Sequence, residues 1–191
     1  MNLFPNPQFN NSFLSGNTAK PIAGVCTRTA YTRPLKQAQV SETLVQGTAV
    51  NLTNALTKAN SKSVNAGGLN EGLAPNVLTA TANEAEVSGF IVDSPNMVLL
   101  DGDYAPAARA GQVVYVAFIG SGAELYLPCD NSLVNVAPNE AVEIQNGVLK
   151  KAVGNGISGI TIMSQVVDGV RFKVNGDTIE QEDTPVIKVK L

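Results

Sequence analysis

Two glycine-closed dipeptides in the last third of the chain constrain its fold more than any other feature. Asn146-Gly147 separates Val142-Glu143-Ile144-Gln145 from Val148-Leu149-Lys150, and Asp168-Gly169 separates Ile160–Val167 from Val170–Val174. A two-residue type I′ turn requires positive φ at both central positions. Asn, Asp and Gly meet that at least cost, and β-branched flanks favour strands. Both pairs are therefore expected to close antiparallel hairpins.

Other segments point the same way. Val113–Ile119 is apolar at all seven positions, which predicts a strand covered on both faces or held in a barrel wall. Phe90-Ile91-Val92 and Met97–Leu100 flank Ser94-Pro95-Asn96, and Leu125-Tyr126-Leu127 follows Gly120-Ser121-Gly122. Val186–Leu191 alternates as a terminal strand with one solvated face. The predicted fold class is mainly β, a compact β-barrel or sandwich with an extended N-terminal arm. The body spans residues 37–191, with an exposed loop at about 63–82 where Asn, Gly, Ala and Thr dominate. Leu52, Ala55, Leu56 and Ala59 have the spacing of a short helix, while the alternation from Val45 to Leu52 competes for part of it.

Residues 1–36 have a different character. No Asp or Glu occurs before Glu42, whereas residues 41–145 hold eleven acids against Lys58, Lys62 and Arg109. The segment carries four of the ten prolines and, with Phe4, Phe9, Phe13 and Tyr31, four of the ten aromatics. Prolines forbid a regular helix or central strand there, and aromatic anchors are scarce in segments that never order. An apolar-studded cationic arm on an acidic body suggests docking onto something larger. Phe4, Phe9, Phe13, Arg28, Tyr31 and Arg33 are the candidate partner-binding residues.

Chemistry is poorly provided for. The chain has no histidine, which removes Ser-His and Cys-His pairs and imidazole metal sites. Cys26 and Cys129 are far apart in sequence, as two thiols of a protein made in a reducing cytosol would be, with a single long-range disulfide as the other reading. Gly154-Asn155-Gly156-Ile157-Ser158-Gly159 matches a dinucleotide pattern by letter, but β-branched residues follow it instead of a helix, so a flexible connection is expected. Asp101 and Asp103 flank Gly102 as turn acids, with no further acids at calcium-loop spacing. Glu84 and Glu86 alternate as the solvated face of a strand. No catalytic, cofactor-binding or metal-binding residue is assigned, and an enzyme is not expected. With a net charge of −3 and four cationic residues spread over the arm, nucleic acid is not an expected partner. The longest apolar run is far short of the roughly 20 residues that span a bilayer, so no membrane is expected either. No basic-then-apolar leader pattern is visible.

The body resembles the small cement or decoration proteins of tailed-bacteriophage capsids. Three strings carry the resemblance: Val45-Gln46-Gly47-Thr48-Ala49-Val50, Val87-Ser88-Gly89-Phe90-Ile91-Val92, and Ala110-Gly111-Gln112-Val113-Val114-Tyr115-Val116. It implies a compact β-barrel on the capsid exterior that binds the major capsid protein and neighbouring copies of itself and stabilises the shell, with no catalytic residue. A homo-oligomer is compatible with that role. The alternative is a fibre- or tail-associated attachment module, although no repeat or coiled-coil stem is seen.

Overall fold

The computed structural model describes residues 20–28, 35–53, 76–81, 83–92, 106–176 and 178–191. Within them the protein is mainly β. The fourteen strands among the described residues are β1 (Cys26–Arg28), β2 (Leu35–Val40), β3 (Leu44–Val45), β4 (Ala49–Thr53), β5 (Asn76–Ala80), β6 (Gly89–Ile91), β7 (Ala107–Ala108), β8 (Val113–Phe118), β9 (Glu124–Pro128), β10 (Val142–Gln145), β11 (Val148–Lys151), β12 (Thr161–Ile162), β13 (Val167–Asn175) and β14 (Thr178–Lys190).

Five of these close into a small barrel in the order β2-β5-β4-β6-β8, all antiparallel except the β2–β5 pair. Side chains alternate across each wall strand, and the β4-β6-β8 wall uses both faces. Val50, Ile91, Val114 and Val116 fill the barrel with Ala38, Val40, Leu44 and Ala108. Their chain neighbours Ala49, Phe90 and Ala117 point outward into a second core, built with Leu125, Leu127, Ile187, Val189 and Leu191. The unbroken apolar run Val113–Ile119 is thus explained: β8 is both a barrel strand and a floor for the second layer.

That second layer is a sheet in the order β1-β9-β14-β12, with β13 also paired to β14. Hairpin β10–β11 adds Val142, Ile144 and Leu149 to its core. The turn between them is the one expected, with positive φ at both Asn146 (52°) and Gly147 (72°). The two layers join where residues 23–24 cross residues 46–47. Gly24 has φ +83°, and a Cβ there would lie 2.3 Å from the Gly47 backbone nitrogen. Gln46 is buried and its Nε2 donates to the Ala23 carbonyl at 2.9 Å.

Four expectations need correction. Asp168-Gly169 is not a turn: β13 runs straight through it, paired along β14 from Val167↔Val186 to Asn175↔Thr178. Gly169 is needed there for close approach, because a Cβ would meet Val186 Cγ2 at 2.4 Å and the Pro21 carbonyl oxygen at 2.7 Å. Glu84–Glu86 form one 3₁₀ turn, not a strand, because Asn83 caps it by accepting from the Ala85 N–H. Of the expected loop at 63–82, residues 76–80 are barrel strand β5. Finally, residues 20–28 and 35–36 of the expected arm belong to the body, since β1 pairs with β9 and β2 closes the barrel. The helical spacing at Ala55–Ala59 and the strand expected at Met97–Leu100 lie outside the described residues.

Candidate interaction surface

The β13–β14 ribbon extends past the strands that flank it among the described residues. β9 pairs with β14 only from Val186 to Lys190, and Ile22 bridges β13 at Val170. Beyond those points, among the described residues, the two strands pair only with each other. Among the described residues, none covers the outer edges of residues 171–175 and 178–184.

The ribbon is amphipathic because its sequence alternates. Directly opposed residues share a face in an antiparallel pair. Arg171↔Glu182, Lys173↔Glu180 and Asn175↔Thr178 form one face. The guanidinium Nε of Arg171 and the Nζ of Lys173 both reach Glu182 Oε2, at 2.7 and 2.5 Å, and Asn175 Nδ2 donates to Glu180 Oε1 at 2.8 Å. Lys173, and then Arg171, hold the Glu182 carboxyl below its ordinary range. This face is electrostatically complete.

The opposite face carries Phe172↔Gln181 and Val174↔Ile179. It lies on the odd-numbered side of β14, which nearer the chain end packs Ile187, Val189 and Leu191 into the second core. The core-facing pattern therefore continues past the core. Val174 is 41% exposed, while Phe172 and Ile179 are half-buried. At the lower rim, Asp183 on this same face accepts an ion pair from Lys20 at 3.0 Å. Lys20 is the first described residue of the chain.

Elsewhere the chemistry is muted. A cleft of about 400 Å³ between the 84–86 turn and the loop at 155–158 is lined by one carboxylate, Glu84, with no other charged group. Cys26 and Cys129 form no disulfide, and burial, then the neighbouring Asp130 charge, pushes the Cys129 thiol up to about 12. A thiol so protonated is a poor nucleophile. The Glu143 carboxyl is lowered by hydrogen bonds from Lys150 and the Val153 N–H, a cross-strand pair of the β10–β11 hairpin. Among the described residues no three His, Cys, Asp or Glu side chains are grouped to hold a metal.

Of the residues singled out in the arm, Phe4, Phe9, Phe13, Tyr31 and Arg33 lie outside the described residues, as do Asp101 and Asp103. Arg28 ends strand β1. The ribbon escaped the sequence reading because Asp168-Gly169 competed with the true reversal, which follows Asn175 at Gly176. Its signal was nevertheless present: Val170, Phe172 and Val174 interleave with Arg171 and Lys173, and Ile179 sits beside Glu180 and Glu182. No protein-family model and no curated protein sequence matches the chain.

Proposed function

We propose that this chain is a structural virion protein, a capsid decoration or cement protein that binds the outer surface of a major capsid shell and braces it. The observation that carries the proposal is an amphipathic, open-edged ribbon mounted on a closed barrel. The three strings that resemble the phage decoration family run into barrel strands β4, β6 and β8, the first of them starting in β3, which pairs with β7 outside the barrel. A closed barrel has no free edge of its own. Among the described residues the ribbon pairs an uncovered strand edge with the partly exposed Phe172, Val174 and Ile179, which suits strand addition to a neighbouring sheet. Completing the burial of each half-exposed side chain would add on the order of 1 kcal/mol. Repeated over many copies on a shell, increments of this size accumulate.

The proposal is tested on native particles by electron microscopy with the purified protein added back. Copies spread across the shell lattice support it. A few copies at a tail or vertex favour an attachment module, and no binding to any particle defeats both. A second arm pairs Val174→Asp with Ile179→Asp, which should abolish decoration while circular dichroism still shows a folded body.

A further inference from the structure

The hydrogen bonds at the ribbon's base reveal which backbone groups its two outer edges present. On β13 the Val170 N–H donates to the Pro21 carbonyl and the Val170 carbonyl accepts from the Ala23 N–H, both at 2.9 Å. Val170 thus turns its backbone away from β14, and so does the residue directly opposite it, Asp183. The Pro185 carbonyl keeps the same phase on β14, accepting from the Cys129 N–H at 2.9 Å. In a regular antiparallel pair this direction alternates along the strand. Ile179, Gln181 and Asp183 therefore each aim an N–H and a C=O outward, and no described strand pairs with them there. Glu180 and Glu182 turn theirs inward to β13.

The same alternation sorts the charges. On the face that carries Glu180 and Glu182, the cations Arg171 and Lys173 belong to β13, one strand further in. Both cations converge on Glu182, whereas Glu180 accepts from the neutral amide of Asn175. A strand added to β14 meets this acidic row first. In an antiparallel seam Glu180 and Glu182 would take the non-hydrogen-bonded positions, where opposed Cα atoms approach to about 4.5 Å and side chains are closest. Opposite charges placed there stabilise the pair, and like charges destabilise it. On the other face the added strand would lie beside Ile179 and extend the apolar patch of Phe172 and Val174.

We propose that the outer edge of β14 at residues 179–183 captures, in antiparallel pairing, an extended strand of another protein that alternates Lys or Arg with apolar residues, its cations over Glu180 and Glu182. A second copy of this chain suits the edge poorly. Two β14 edges paired about Gln181 would set Glu180 of each copy against Glu182 of the other. The β13 edge offers only Phe172 and Val174 before Ile22 covers it at Val170. The inference names the kind of strand that the decoration reading asks of a shell, and it rests on that reading for where such a strand is met.

The test titrates a dye-labelled peptide, Lys-Val-Lys-Val-Lys-Val-Lys, with the full-length protein at low salt, read by fluorescence anisotropy. It should bind at least tenfold tighter than the same peptide with Glu for Lys, and than Lys-Lys-Lys-Lys-Val-Val-Val, which has equal charge without alternation. Equal binding of the blocked peptide would reduce the effect to attraction between net charges and overturn the proposal. Gln181→Pro removes one outward N–H and no bond within the ribbon. Binding to it should fall at least tenfold, with the Glu180 and Glu182 amides still protected from exchange; undiminished binding would overturn strand addition. Glu180→Gln keeps an acceptor for Asn175 and should weaken binding about threefold. In the unsubstituted protein the peptide should protect the amides of Ile179, Gln181 and Asp183, and protection elsewhere alone would overturn the site. Self-association without peptide that Gln181→Pro abolishes would put a second copy on the edge instead. Shells decorated by a chain that takes no such peptide would sink this inference and leave the decoration reading standing; peptide capture by a chain that binds no particle would do the reverse.

Discussion

The barrel and the ribbon are made of the same kind of strand, alternating and rich in valine, but the protein treats them in opposite ways. The barrel spends every edge on another of its own strands, and its wall residues Val50, Ile91 and Val116 are wholly buried. The ribbon's two strands pair with each other, no other described strand covers the outer edges of their distal ends, and Val174 is left 41% exposed. A two-stranded ribbon is marginal by itself. Across this one Arg171 and Lys173 pair with Glu182, a modest contribution for an exposed cluster, and its base packs at Val186 and Gly169. Stability is invested in one region and availability in the other.

The largest effect should come from the barrel. Ile91 is fully buried at the barrel centre, so Ile91→Ala should cost about 2–5 kcal/mol in denaturant melts. A loss below about 1 kcal/mol would mean that the barrel interior collapses to fill the space and is not the rigid part supposed here.

Next come two glycines that differ in why they are glycine. Gly169 has an ordinary strand conformation, but its missing Cβ admits Val186 and the Pro21 carbonyl. Gly169→Val should therefore destabilise the ribbon base by about 1–3 kcal/mol through overpacking. Gly147 faces open space but has φ +72°, so Gly147→Val should cost about 1–3 kcal/mol from backbone strain alone. The two separate on substitution by Asn, which tolerates positive φ but not a clash. Gly147→Asn should recover most of the loss and Gly169→Asn should not. Equal recovery at both would return Asp168-Gly169 to the role of a turn.

That pair of glycines also shows how far the sequence could be read. Period-two alternation and the Asn146-Gly147 signal identified the β class, and the seven-residue apolar run identified a strand buried on both sides, because these are local consequences of side-chain direction. At Asp168-Gly169 the same letters have another cause, a contact with residues about 17 and 148 positions away in sequence, which no local pattern reports. The parallel β2–β5 pairing was hidden for the same reason: it joins Leu35–Val40 to Asn76–Ala80 across a long insertion. The arm boundary moved because β1 and β2 gain their order from distant partners, not from their own short sequences. The ribbon was legible in its alternation but not in its exposure, since a strand that continues past the core looks like one that stays inside it.

Acid should distinguish the regions more gently. Glu182 has its carboxyl lowered in the folded protein by Lys173 and Arg171. A group depressed in this way adds stability above its unfolded value, about 4.3, and that contribution fades as pH falls through the lower folded value. Ribbon amides should therefore lose protection below about pH 4.3 while barrel amides hold. Glu182→Gln should remove the acid dependence and leave a uniformly looser ribbon. If barrel and ribbon lose protection together, the ribbon is not an independent unit.

The smallest expected effect is the sharpest test of the comparison. Val174 lies at the distal end of the ribbon and belongs to neither buried core. Introducing Asp there places a charge where a half-exposed valine stood, and water can solvate it without any core residue moving. Local opening of a region with few buried contacts costs far less than global unfolding, so its loss need not propagate. Val174→Asp should shift the global unfolding free energy by no more than about 0.5 kcal/mol, as surface changes usually do. It should nevertheless weaken whatever binds the ribbon face. The measurement is a denaturant midpoint alongside hydrogen exchange at residues 171–183. An unmoved midpoint with faster ribbon exchange preserves the division between a stable barrel and an available ribbon. A fall of about 2 kcal/mol or more would place Val174 inside the cooperative fold, and the ribbon would then be a structural brace and not a surface held ready for a partner.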